Sequence, residues 1–272
     1  MSALATTPDL EATAPPARAR EIGPIPFSRL LGVELRKMFD TRAGFWLMAS
    51  IVITAVVATV AVVAFAPDSE IRYGSFGAAV GIPMAVLLPV IAILSVTSEW
   101  SQRSGLTTFT LVPHRHRVVA AKATASVLVG VVAIPVAFAV GALGNVVGSA
   151  IAGTEQVWDM SMTAFWQITL GNVIGLLMGF TLGVLFRSSA AAVVAYFVYA
   201  FVLPPLAELL AATQEWFSDV RGWVDPNFAQ GQLFNDTALS STQWANLGVT
   251  TGIWLVLPLV VGLVMLLRSE VK

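Results

Sequence analysis

The residues in this chain that could do chemistry are few and scattered. Its two histidines, His114 and His116, sit in a basic stretch reading HRHR, and two imidazoles without neighbouring carboxylates make a poor metal site. The lysines Lys37, Lys122 and Lys272 follow Arg36, Ala121 and Val271. None therefore belongs to a glycine-rich loop whose amides and lysine cradle nucleotide phosphates. Cysteine is absent, which removes thiol nucleophiles, disulfides and thiolate metal sites. The apolar runs hold no paired carboxylates, no His-Glu metal motif and no Ser-His pair, whereas catalysis gathers perturbed titratable groups at one place. The expectation is a chain that is not an enzyme by itself and binds neither metal nor cofactor.

What stands out instead is a set of polar residues inside or beside apolar runs. Glu208 lies near the end of one such run, and a carboxylate at apolar depth is a functional candidate. Asn145 and Asn172, with Gln167 and Thr181, lie within others. Glu208, Asn145 and Asn172 are the candidates for a pathway or an outer gate. The plainer readings are hydration for Glu208 and hydrogen bonding between helices for the rest.

The elements that position these residues are membrane spans. The chain has 272 residues, of which 57% are hydrophobic and 11% charged, where a soluble domain carries roughly 25% charged residues. About 20 apolar residues are needed to cross the hydrocarbon core, and six runs are long enough: about 44–66, 75–97, 123–150, 163–186, 190–212 and 244–267. Pro204 and Pro205 remove two backbone donors from the fifth and are expected to end its regular helix near Leu203.

Orientation follows from the basic residues, which favour cytoplasmic loops. With the N-terminus inside, only Arg72 and Arg221 of the fifteen Lys and Arg residues fall outside. The fold class predicted is an all-α membrane protein of six transmembrane helices, N-in and C-in, with residues 43–272 as the six-span transmembrane domain. Residues 1–24, rich in Ala, Pro and Thr, read as a disordered cytoplasmic tail.

Between tail and bundle, residues 25–42, IPFSRLLGVELRKMFDTR, place Phe27, Leu30, Leu31, Leu35, Met38 and Phe39 at helical spacing. Arg29, Glu34, Arg36 and Lys37 lie mostly on other faces. This reads as an interfacial amphipathic helix with basic residues near anionic head groups, the alternative being a helix packed on the bundle itself. Glycines recur every fourth residue at Gly171, Gly175, Gly179 and Gly183 in the fourth span. Such a stripe admits close backbone approach, either within the chain or at a dimer seam.

The cytoplasmic segment after the second span, SEWSQRSGLTTFTLVPHRHRVVAAK, runs from Glu99 through Gly105, Leu111, Pro113 and Arg117 to Ala121 and Lys122. In this order the segment resembles the corresponding loop in permease subunits of ATP-binding-cassette exporters of the second exporter class, although Leu106 stands where that family has Thr. That family joins an interfacial N-terminal helix to six spans. The resemblance implies a coupling helix that docks on an ATP-binding subunit, with Glu99, Trp100, Arg103, Gly105, Leu106, Phe109, Pro113 and Arg117 as its residues. It further implies a second permease copy or homologue as partner, with ATP and Mg held by the separate ATPase subunit. Residues 205–240 would form short re-entrant helices closing the outer end. The location expected is a cell membrane, compatible with a bacterial inner membrane, with lipid as the surroundings and no nucleic acid among the partners. The alternatives are an ATP-independent secondary transporter or channel and a membrane-embedded lipid-modifying enzyme.

Overall fold

The computed structural model describes residues 25–101, 115–235 and 237–268, and the expected tail over 1–24 lies outside them. These residues form helices throughout: α1 (Phe27–Asp40), α2 (Arg42–Phe65), α3 (Tyr73–Ser101), α4 (Arg115–Ala152), α5 (Met162–Phe186), α6 (Ser189–Thr213), α7 (Glu215–Val224), α8 (Pro226–Gly231) and α9 (Ser241–Arg268). Six of them, α2 to α6 and α9, are long and apolar enough to cross a membrane.

The spans divide into a centre and a wall. In its most apolar stretch α5 is 61% buried inside the chain, against 17% for α2 and for α6. It packs most extensively on α3 and also contacts α4, α6 and α9. The outward faces of α2, α6 and α9 remain apolar, with Val57, Val60, Phe201, Leu257 and Val260 all exposed. In water such faces would cause aggregation, and in lipid they are the solvated surface.

The glycine stripe of α5 is occupied from within. A Cβ at Gly179 would meet the Pro89 backbone of α3, one at Gly183 would meet Val96 and Ile93, and one at Gly171 would meet Phe234. Of the two readings left open by the spacing, close packing within one chain is what the structure supports. At the corner between α1 and α2, Gly44 is likewise required, because a Cβ there would strike the Met38 carbonyl. Thr41 supplies the N-cap of α2, its Oγ1 accepting from the Gly44 N–H at 3.0 Å.

At Pro89 and Pro204 the proline leaves a carbonyl without its donor, and a side chain of another helix supplies one. Pro89 has no N–H for the Ala85 carbonyl one turn earlier, and the Tyr196 hydroxyl of α6 donates to that oxygen at 2.6 Å. In lipid no water replaces such a bond. Removing the hydroxyl with Tyr196→Phe is expected to cost about 1–2 kcal/mol for an orphaned buried acceptor. The same change in a Pro89→Ala background should cost almost nothing, since alanine restores the missing N–H donor. Thermal melting of the four proteins in one detergent checks this, and an equal loss in both backgrounds would refute it.

The sequence expectation for Pro204 and Pro205 needs correcting at one point. The helix does not stop near Leu203 but widens into a π turn over Val198–Val202, where the Leu203 N–H reaches back five residues to the Val198 carbonyl, and it resumes to Thr213. The Tyr199 carbonyl, which Pro204 cannot serve, accepts from Asn227 Nδ2 at 3.1 Å. The same device recurs in α9, where a π turn over Gly252–Val256 comes just before Leu257 and Pro258. A wider turn accommodates the missing donor and the ring together.

Candidate functional site: a buried ionic cluster joining three helices

The end of the bundle that carries most of the basic residues holds four charged side chains packed together. Helix α1 turns a stripe containing Leu31, Glu34, Leu35 and Met38 toward the bundle. Met38 enters the main apolar core, and Glu34, 7% exposed, sits beside it. Two residues face it: Glu99 near the end of α3 and Lys122 in the second turn of α4, each 3% exposed. Lys122 Nζ lies 2.6 Å from Glu34 Oε2 and 3.1 Å from Glu99 Oε1, and it donates to the Ser95 carbonyl at 3.2 Å. Three acceptors thus surround an ammonium that has three N–H groups.

Lys37, one turn beyond Glu34 and half-exposed, completes the set with 3.0 Å contacts to Glu34 Oε1 and Glu99 Oε1. Burial works to lower the Lys37 pKa, but the Glu34 and Glu99 carboxylates outweigh it and hold the amine above the ordinary lysine value. The cluster contains two carboxylates and two ammonium groups. Charge balance with hydrogen bonds on each member is the condition under which ions are tolerated out of water.

Further polar contacts tie the same end together. Arg117 donates to the Ile25 carbonyl at 2.8 Å and so pins the entry of α1 to α4. Ser95 and Ser126 are 3.0 Å apart between α3 and α4, and Thr97 and Ser189 are 2.7 Å apart between α3 and α6. Helix α1 is therefore packed on the bundle along one stripe and exposes Val33 and Phe39 on its other faces. Glu34, read from the sequence as lying off the apolar face, belongs to the packed stripe.

Of the residues expected in the coupling segment, Glu99, Trp100 and Arg117 are described, while Arg103, Gly105, Leu106, Phe109 and Pro113 lie outside the described residues. Glu99 is turned inward, and Trp100 packs partly against the core. Sequence reasoning missed Lys37 and Lys122 as partners of Glu99, and Glu34 as the second carboxylate they share. The available signal was Lys122 itself, a lone charge in the apolar run VVAAKATA, which demands a counter-charge.

The outer candidates separate. Glu208 has a side chain 71% exposed and lies 2.7 Å from Arg221. Arg221 also bonds Asp225 at 3.1 Å and lies over the Phe228 ring at 4.6 Å, while Asp225 caps α8 by accepting from the Asn227 and Phe228 N–H groups. This group holds the short helices α7 and α8 against one another. Leu233 and Phe234, just after α8, press on Gly171 of α5. Gln230 Nε2 reaches the Gly171 carbonyl at 2.7 Å. Asn145 donates to the Val157 carbonyl at 3.1 Å and anchors the segment between α4 and α5. Asn172 donates to Ile168 of its own helix at 2.9 Å and lines a narrow cleft with Gly81, Met84 and Phe138. The three residues are not brought together.

Among the described residues, no three His, Cys, Asp or Glu side chains gather in a way that could hold a metal ion. A scan of the sequence against protein-family models finds no match, and a search of curated proteins finds no relative.

Proposed function

We propose that this chain is the membrane-spanning permease subunit of an ATP-driven exporter, working as a dimer with separate ATP-binding subunits. The observation that carries the reading is the ionic cluster. Glu99 in the last turn of α3 and Lys122 in the second turn of α4 stand on the two helices that segment 102–114 connects, and both residues are tied to α1. A partner pushing on that segment would move α1, α3 and α4 as one body, because separating them strands charges in an apolar setting. This is the mechanical property that a subunit driven from the cytoplasm requires, and it agrees with the order of residues from Glu99 to Lys122.

The role of each residue follows from its place. Glu99 and Lys122 transmit movement, Glu34 and Lys37 extend it to α1, and Arg117 fixes the start of α1. The transported solute would pass along a route whose outer end is covered by α7 and α8. Movement of any of these parts requires that the partner interact differently with two states of the bundle.

One observation favours a second reading, an ATP-independent transporter. Both α6 and α9 are interrupted by π turns before prolines, and interrupted spans mark the binding sites of many secondary transporters. The two readings part in one experiment. The tagged full-length chain is purified from its native host in mild detergent, co-purifying chains are identified by mass spectrometry, and ATP hydrolysis is assayed. A stoichiometric partner with a phosphate-binding loop and vanadate-sensitive activity is expected. A chain that purifies alone in several detergents, and still exchanges solute across liposomes without ATP, would overturn the exporter reading in favour of the second.

A further inference from the structure

Three arginines on and beside α1 remain exposed after the ionic cluster has formed. Arg29 and Arg36 are seven residues apart, so they share the face opposite Glu34 and Met38, about 10 Å apart along the axis. Arg42 opens α2, one residue after α1's C-cap. None of the three has a carboxylate within salt-bridge distance among the described residues, and Asp40, the acidic residue on the same side of α1, pairs with none of them.

We infer that this face binds the phosphate head groups of anionic phospholipids, with Arg29, Arg36 and Arg42 as the contacts. Guanidinium groups match phosphate oxygens in a two-pronged geometry. The level is set by Phe45 and Trp46, an edge-on pair with centroids 5.8 Å apart and exposures of 56% and 65%. Aromatic residues of this kind mark the membrane interface, and beyond them α2 presents Val52, Ile53, Val56 and Val57 to the outside. Arg42 therefore stands at the boundary between hydrocarbon and head groups. On α1 itself, exposed Val33 and Phe39 flank the arginines, and an apolar and cationic face together fit a lipid boundary better than an acidic protein surface. The site does not depend on the exporter reading.

The test uses the full-length chain in nanodiscs containing phosphatidylglycerol and phosphatidylcholine, with lipids retained after extraction counted by native mass spectrometry. The wild type should retain phosphatidylglycerol preferentially. Each Arg→Gln change should lower that preference about five-fold, and Arg29→Gln with Arg36→Gln about 25-fold, from the attraction of a basic residue to an anionic surface. The Arg29→Lys, Arg36→Lys variant keeps the charge but loses the two-pronged geometry, so its preference should fall between the wild type and the double Gln variant. Arg268→Gln, the same charge change at the end of α9, is the control and should leave it unchanged. The inference is overturned if Arg268→Gln matches the double variant, or if the double variant keeps the wild-type preference. It is overturned equally if that variant keeps its lipids and loses an acidic protein partner instead.

Discussion

Replacing Lys122 with Met should destabilise this protein by about 3–5 kcal/mol, the cost of removing one partner from a buried ion pair and leaving the other charge stranded. The change leaves Glu34 and Glu99, both buried, to share Lys37 alone. Adding Glu34→Gln should recover most of the loss, because Lys37 and Glu99 then remain as a balanced pair 3.0 Å apart. Unfolding in mild detergent, followed by tryptophan fluorescence, measures both variants. A second readout separates local from global effects: trypsin should cut after Arg36 and Lys37 faster in Lys122→Met, since α1 loses its hold on α4. Wild-type melting and wild-type cleavage together would show that the cluster does not bear the connection. Lys37 adds a pH limb. Its pKa is raised on folding, so its contribution is fully present below the ordinary lysine range and is lost as pH rises through the folded value. Stability should therefore fall on the alkaline side of about pH 10.5, and Lys37→Met should flatten that fall.

The contrast between this cluster and the spans explains what the sequence makes legible. A span announces itself, because about 20 consecutive apolar residues have few other uses, and the apolar runs starting near 44, 75, 123, 163, 190 and 244 correspond to α2 to α6 and α9. An ion pair across helices has no local signature. Glu34 and Glu99 are 65 positions apart, and only packing reveals that they share the Lys37 and Lys122 ammonium groups. Glu34 was misplaced because apolar spacing sorts residues by type, and a carboxylate on the inward stripe is sorted outward. The prolines of α6 show the opposite error. Local rules end a helix at Pro204, but the π turn and the Asn227 amide, contributed from 28 residues beyond Tyr199, supply what the rule assumes is missing. At the outer end the polar residues were visible and their roles were not. Asn145 anchors a loop, and Glu208 is paired with Arg221. Neither partner could be inferred without the fold.

The α5 stripe yields the second large effect, and its graded form is what makes it informative. A Cβ added at Gly179 would lie 2.5 Å from the Pro89 carbonyl oxygen and 2.8 Å from its Cα, both backbone atoms of the helix that packs most closely on α5. Gly179→Ala should therefore cost about 3 kcal/mol, the upper part of the range for overpacking, because a whole helix has to shift. At Gly175 the nearest atoms would be 3.5 and 3.9 Å away, ordinary contact, and Gly175→Ala should be close to neutral. At Gly171 the obstacle is the tip of the Phe234 ring at 2.8 Å, and at Gly183 it is a Val96 methyl. The exposed Phe234 ring can swing aside, so Gly171→Ala should cost about 1 kcal/mol, at the low end of the same range, whereas Val96 is β-branched, buried and backed by the Ile93 backbone, so Gly183→Ala should cost about as much as Gly179→Ala. Pro89→Ala should not rescue Gly179→Ala, since the atoms in the way belong to the backbone and remain. Melting temperature and oligomeric state measured on the same samples decide between the two uses of the stripe. Loss of stability in the order 179 and 183, then 171, then 175 assigns it to packing inside the chain. Dissociation of an oligomer at unchanged stability, in any of the four, would place a neighbouring copy against α5 instead and contradict the packing of α3 on this face.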